Sequence, residues 1–499
     1  MQKEIENYRI TSELIEVTVR ILSVEQAMAI YEIVLPELEP ATKAFLDEIR
    51  SQLVTEVSVS TAEMLDPESV AVLKEKFSRR AITLIQTMLP NITAELRTYL
   101  VGYLIQEMLG LGPIEFLLND PNLEEIVVTS AREPIRVYHK KHGWLKTNIT
   151  ISTEERIQNY SSIIARRVGR QITTLTPLLD AHLITGDRAN AVLFPIGTKG
   201  NTITIRKFSR DPWTVIDLIN NKTCNVEIAA LIWHAMQYEM NILVSGGTAS
   251  GKTSFLNSIL QFMPPNQRII SIEDTRELQL SDHLYWCPLV TRQQNSEGKG
   301  EVSMLDLLVN ALRMRPDRII LGEMRTKEQA EVLFEAMHTG HSVYATVHAD
   351  TIGETIKRLI YPPLNVPPNL LSAVHLNVVM FRDRRKGIRR TLQVGEYVMS
   401  EEGGTETVKP NILYRWRPDK DDMMKHSESL KLNEELCRLT GATLKELAKE
   451  IKDKEKILSW MVKQEVKGIA QLGKILDAYY NNPDTILSLA EKNKKFELK

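Results

Sequence analysis

Residues 246–253 read GGTASGKT, between the apolar run Met240-Asn-Ile-Leu-Val244 and the segment Ser254-Phe-Leu-Asn-Ser-Ile-Leu260. This is the pattern G-x-x-x-x-G-K-[ST], with a strand expected before it and a helix after it. It commits the chain to a strand–loop–helix unit whose loop is built for an anion. Gly246 and Gly251 let the backbone turn its N–H groups inward, and the positive pole of the following helix falls at the same point. From average glycine usage, a chance match in a chain of 499 residues has a probability on the order of one per cent. The candidate nucleotide-binding residues are Gly246, Gly247, Thr248, Ala249, Ser250, Gly251, Lys252, Thr253 and Ser254. Lys252 is suited to β- and γ-phosphates, and the Thr253 hydroxyl to Mg2+.

Downstream of the loop, short β-branched runs alternate with helical stretches. Strands are expected at 268–272, 318–321 and 342–347, and helices near 304–313, 327–337 and 352–360. Such alternation indicates a largely parallel, doubly wound sheet, which binds ligands at the carboxyl ends of its strands. Three of those ends carry polar groups: Ile272-Glu273-Asp274, Leu321-Gly322-Glu323-Met-Arg325, and Thr346-Val-His348-Ala-Asp350. A single carboxylate at a strand end is often only a helix cap. Three polar ends beside a phosphate loop instead suit hydrolysis, with one acid holding the metal or its waters and another orienting the attacking water. Glu323 takes the metal position, with Thr253, although no Asp precedes it. Glu273 is the candidate for positioning water, and His348 is a candidate contact of the γ-phosphate.

Upstream, the first 20 residues mix charges throughout and carry no signal-peptide pattern, and the opening 95 residues read as a separate, mostly helical module. Helices are expected over 68–89 and 94–109, the second capped by Asn91. Between 110 and about 212, strand-like runs at 125–129, 135–138, 191–194 and 202–206 flank a helix over 153–168, giving an α+β domain. The parts are therefore 1–95, 96–215, 216–400 and 401–499, the last helical after a polar turn or linker at 401–407. Leu and Met recur at helical spacing from 444 to 489, a core stripe rather than a binding face.

Formal net charge is −2, from 62 basic and 64 acidic residues, so bulk electrostatics favours neither nucleic acid nor an anionic membrane. The basic segment Phe381–Arg390 lacks interleaved aromatics and reads as a solvated hairpin tip. Three scattered cysteines point to a reducing compartment without a disulfide framework or a four-cysteine zinc site. No apolar run approaches the ~18 residues needed to span a bilayer, so a cytoplasmic location is expected.

The order GGTASGKT, IEDTRELQL (272–280), EGKGEVSMLDLLVNALRMRPDRIILGEMR (297–325) and TGHSVYATVHADT (339–351) resembles the motor ATPases of type II/IV secretion, type IV pilus and archaellum assembly. In that superfamily the segments are the Walker A, Asp box, Walker B and His box. The likeness covers roughly 109–398 and is nearest to archaeal members, with a core similar to the tight-adherence branch. It implies an α/β, RecA-like P-loop ATPase core, a preceding α+β (PAS-like) domain, and helical N- and C-terminal regions. It also implies ATP and Mg2+, a homo-hexamer, and a polytopic membrane platform protein as partner, holding the motor at the cytoplasmic membrane. The four-cysteine zinc module of bacterial type II members is missing, so zinc is not expected. Arg188 and Arg206 match positions where the family places arginine fingers, and Arg276 and Arg292 are weaker candidates. The competing classes are a hexameric ATPase acting on nucleic acid and a non-hydrolysing scaffold. Near-neutral charge opposes the first, and retention of Lys252, Glu273 and Glu323 opposes the second.

Overall fold

The computed structural model describes residues 2–24, 28–36, 38–56, 67–183, 186–208, 212–294, 298–383, 385–402 and 405–496. Two compact units form, Met1–Arg210 with Asn295–Lys299, and Asp211–Gln294 with Gly300–Lys499.

The first unit opens with strands, β1 (Gln2–Ser12), β2 (Ile15–Val24) and β3 (Ile30–Val34). Helices α1 (Pro40–Glu56), α2 (Pro67–Met88), α3 (Ala94–Leu109) and α4 (Ile114–Asn119) follow. Then come β4 (Leu123–Val128), β5 (Arg136–His139), β6 (Gly143–Thr147), α5 (Glu154–Arg167), β7 (Leu178–His182), β8 (Arg188–Val192) and β9 (Thr202–Arg206). One sheet joins all nine strands in the order β1-β2-β3-β6-β5-β4-β9-β8-β7. The helical module expected over 1–95 thus needs correction over its first 34 residues. In β2, Ile15, Val17, Val19 and Ile21 are buried, while the charged Glu16 and Arg20 between them are exposed. Charge mixed into an apolar run at period two is the solvent face of a strand. The expected cap of α3 also moves: Thr93, not Asn91, accepts from the N–H of Leu96.

The second unit begins with α6 (Val215–Asn220), α7 (Val226–Gln237), β10 (Ile242–Gly246), α8 (Lys252–Leu260), β11 (Arg268–Glu273) and β12 (Tyr285–Val290). It continues through α9 (Met304–Ala311), β13 (Arg318–Leu321), α10 (Lys327–His338), β14 (Ser342–Val347) and α11 (Ile352–Ile360). Strands β15 (Leu376–Asp383), β16 (Ile388–Glu402), β17 (Thr405–Arg417) and β18 (Asp422–Lys425) precede the helices α12 (Lys431–Thr440), α13 (Leu444–Lys463), α14 (Gly468–Asn481) and α15 (Pro483–Glu491). The sheet order is β12-β11-β13-β14-β10-β15-β16-β17-β18. Pairing is parallel from β12 to β15 and antiparallel beyond.

Alternation along the central strands sends side chains into two cores. Ile242, Val244, Ile320 and Tyr344 pack with α7, α8, α13 and α14, while Leu243, Ile319, Leu321, Val343 and Ala345 pack with α9–α11. The sheet is therefore covered on both faces, as a doubly wound parallel sheet requires. Of the stretch 401–407, expected to be a turn or linker, the described residues belong to β16 and β17, which pair from Gln393↔Arg415 to Glu402↔Thr405 as one long hairpin. The helical C-terminal region starts at Lys431. Among the described residues no helix is long and apolar enough to cross a membrane.

Glu396 ties that region to the sheet. Its carboxylate is fully buried and accepts from the N–H groups of Leu430 (2.6 Å), Lys431 (3.2 Å) and Leu432 (3.0 Å), from Ser429 Oγ (3.0 Å) and from Asn411 Nδ2 (2.8 Å). Negative charge at the start of α12 satisfies its orphan donors. Glu396→Ala strands those donors at a cost of about 3 kcal/mol, and is expected to lower the thermal melting midpoint by several degrees, read by tryptophan fluorescence.

Candidate active site

The phosphate loop owes its shape to three positive φ angles, 149° at Gly246, 59° at Ala249 and 92° at Gly251. Strand β10, buried along its whole length, delivers it, and α8 leaves from Gly251. A Cβ on Gly246 would run into the Met380 carbonyl and lie 2.6 Å from Ser250 Oγ; one on Gly247 would lie 2.7 Å from Asp350 Oδ1. At Gly246, where the obstacle is backbone and φ is positive, only glycine fits; at Gly247 a side chain would displace the Asp350 carboxylate. Ser250 Oγ closes the turn on the Gly247 carbonyl at 2.9 Å. The Lys252 ammonium donates to the carbonyls of Gly246 (2.9 Å) and Gly247 (3.1 Å). Burial lowers its pKa, opposed by attraction to Glu323 and Asp350. Thr253 is half-buried, and Thr248 and Ser254 are exposed. Beneath the loop, Thr355 Oγ1, Ser245 Oγ, Asn377 and Tyr397 OH form a buried hydrogen-bond chain of 2.9–3.1 Å links that fixes β10 to its neighbours.

The sheet brings the acids to this edge. Gly322 N–H donates to the Ile272 carbonyl at 2.9 Å, so the ends of β11 and β13, carrying Glu273 and Glu323, lie side by side. Glu273 is 2% exposed. Its Oε1 accepts from the N–H groups of Glu277 (2.9 Å) and Leu278 (3.0 Å), while its buried Oε2 has no partner among the described residues. Burial raises its pKa to about 7 against the lowering effect of those two donors. A buried carboxylate oxygen without a donor costs free energy. Glu323 is more open, its Oε2 held by Arg325 Nε (3.0 Å) and Nη2 (2.8 Å), and Arg325 Nη1 reaches Asp274 Oδ2 at 2.6 Å. His348 directly follows β14 and is half-buried.

In the first unit, Arg188 and Arg206 are direct cross-strand partners on β8 and β9. Arg188 makes a bidentate pair with Asp180, Nε to Oδ1 at 3.0 Å and Nη2 to Oδ2 at 2.7 Å, and Arg206 is exposed. Arg276 stacks over Trp286, and Arg292 donates to the Gly300 carbonyl at 2.6 Å. Two polar residues of the strand ends, given no role from the sequence, prove to be site neighbours. Asp350 abuts Gly247, although it stands in the His-box segment. Arg325 links Glu323 to Asp274, which only the adjacency of β11 and β13 reveals.

A glycine-built anion cradle at the carboxyl edge of a doubly wound parallel sheet, with a lysine inside it and two glutamates on neighbouring strands, defines a RecA-like P-loop nucleotide-binding protein. Residues 183–402 match the family described as Type II/IV secretion system protein. The chain is 36% identical over 401 residues to the uncharacterized protein MJ0900 of Methanocaldococcus jannaschii, covering 78% of this chain and 71% of that one. It is 33% identical to the putative conjugal transfer protein Rv3659c of Mycobacterium tuberculosis (51% and 73% covered). It is 31% identical to the type IV secretion system protein PtlH of Bordetella pertussis (51% and 84% covered). The chain belongs to the type II/IV secretion system ATPase superfamily.

Proposed function

We propose that this protein is the ATP-hydrolysing motor of a secretion or type IV pilus-like assembly machine. In this reading it works as a homo-hexamer, held at the cytoplasmic face of the membrane by a polytopic platform protein. The observation that carries hydrolysis, beyond binding, is Glu273: a buried carboxyl near pKa 7 with one unpartnered oxygen, at the strand end beside Glu323. A group with that pKa at that place is suited to accept a proton from an attacking water. The loop N–H groups and Lys252 hold the β- and γ-phosphates, with His348 as a contact to the γ-phosphate. The cradle that a Cβ would fill fits a phosphate chain, and Thr253 and Glu323 supply the hard oxygen donors that suit Mg2+. Bound there, Mg2+ would neutralise charge on the phosphates. Arg188 and Arg206 serve as the basic residues offered to the transferring phosphoryl group, Arg188 exchanging Asp180 for phosphate.

The test is turnover by the purified full-length chain. Mg-dependent ATP hydrolysis by a hexamer, unaffected by DNA or RNA, is expected, with Glu323→Gln lowering turnover by about a hundred-fold. Strong stimulation by nucleic acid would replace this reading with a nucleic-acid motor. A hexamer without hydrolysis would replace it with a scaffold.

A further inference from the structure

Arg389 and Arg390 are adjacent on β16, and strand alternation sends them to opposite faces. Arg390 is buried, and its Nε and Nη2 donate to the two carboxylate oxygens of Asp421 at 2.7 and 2.8 Å. The hydrogen bonds from Arg390 hold the Asp421 carboxyl down at about 2. Arg390 Nη1 also donates to the Asn221 carbonyl at 3.1 Å, and Thr391 N–H to the Thr223 carbonyl at 2.7 Å. These bonds fix the backbone from which Arg389 projects.

Arg389 itself is exposed and lies on the phosphate loop. Its Nε donates to the Ala249 carbonyl at 3.3 Å, and its Cδ is 3.2 Å from where a Cβ on Gly251 would stand. Among the described residues no carboxylate pairs with it. Lys252 occupies the carbonyls of Gly246 and Gly247 on the same stretch of backbone. Two cations thus sit on one short loop, at the positive pole of α8. Like charges there repel unless an anion lies between them. A guanidinium has five donors, and the Ala249 carbonyl takes one, which leaves the fork for phosphate oxygens.

We infer that Arg389 is a second cation, supplied by the same chain, for the phosphate chain of the bound nucleotide, delivered by the β15–β16 hairpin. The hairpin expected to be only a solvated tip is, at its root, part of the nucleotide site. This inference rests on the phosphate-loop reading proposed above.

Calorimetric titration of the full chain with ADP and Mg2+ tests it. Arg389→Gln keeps a donor for Ala249 and removes the charge; it is expected to weaken ADP binding about ten-fold or more. Arg389→Lys restores the charge without the fork and is expected to recover part of the loss. Arg385→Ala, at the exposed hairpin turn, is expected to bind ADP as the wild type does. A melting temperature of unliganded Arg389→Gln equal to the wild type's separates a lost contact from misfolding. Equal ADP affinity of Arg389→Gln and wild type overturns the assignment of Arg389 alone. A loss of the same size in Arg385→Ala overturns it too, because a diffuse positive field then explains the effect. Failure of the wild-type chain to bind ADP overturns the phosphate-loop reading beneath it.

Discussion

Lys252→Ala is expected to abolish ATP turnover and to weaken ADP binding by about a hundred-fold, the loss of two charge-assisted contacts to phosphate. Among the described residues the ammonium bonds only to the loop's own carbonyls, and burial makes its charge costly there. Phosphate oxygens are stronger acceptors than carbonyls, so the differential interaction belongs to the bound state. Removing the lysine strands no buried carboxylate, since Glu323 is held by Arg325. The unliganded melting temperature is therefore expected to stay near that of the wild type. Calorimetry with ADP and a phosphate-release assay read the two effects separately. Wild-type turnover in Lys252→Ala would remove the loop from the chemistry.

The second large effect belongs to Glu273. Glu273→Gln preserves shape and the acceptor for Glu277 and Leu278 but cannot take a proton; turnover is expected to fall by about a thousand-fold with ADP affinity retained. The wild-type pH profile carries the signature. With the carboxyl at about 7, the base is protonated below that pH, so kcat should rise with pH through about 7. The residual activity of the glutamine variant should lack that inflection. Stability moves the other way. The folded chain keeps a proton that the unfolded chain, at its ordinary value of 4.5, has released. Between these values stability falls as pH rises, and it falls less in the variant. A glutamine variant with the same kcat inflection would assign it to another group.

Much of the second unit was legible because its signals are local. Strands β13 and β14 and helix α11 match their expected bounds, and the phosphate loop is flanked by a strand and a helix as expected, with bounds shifted by two residues. Parallel strands buried on both faces leave continuous β-branched runs, and glycine with lysine punctuates the loop between them. The opening strands were obscured by charge: in β2 the solvent-facing Glu16 and Arg20 look helical when charge is weighed before period. Strand β12 was also missed, its Tyr285-Trp-Cys-Pro-Leu-Val290 holding a proline mid-run at the edge of the sheet. Arg389 stands in a recognisably basic segment, but its position on the loop depends on a hairpin register, Arg382↔Arg389, that no local pattern encodes.

The capped helix at Glu396 has a consequence for where this protein can be cut. The family match stops at residue 402, yet Leu458, Met461, Leu472 and Leu476 from α13 and α14 share one core with Trp233 of α7 and Phe255 of α8, the helix that leaves the phosphate loop. A fragment trimmed to the matched region would bare that apolar surface and leave a greasy, aggregation-prone remnant. The stretch that matches the family and the core on which α7 and α8 depend therefore differ by the helices α12–α15.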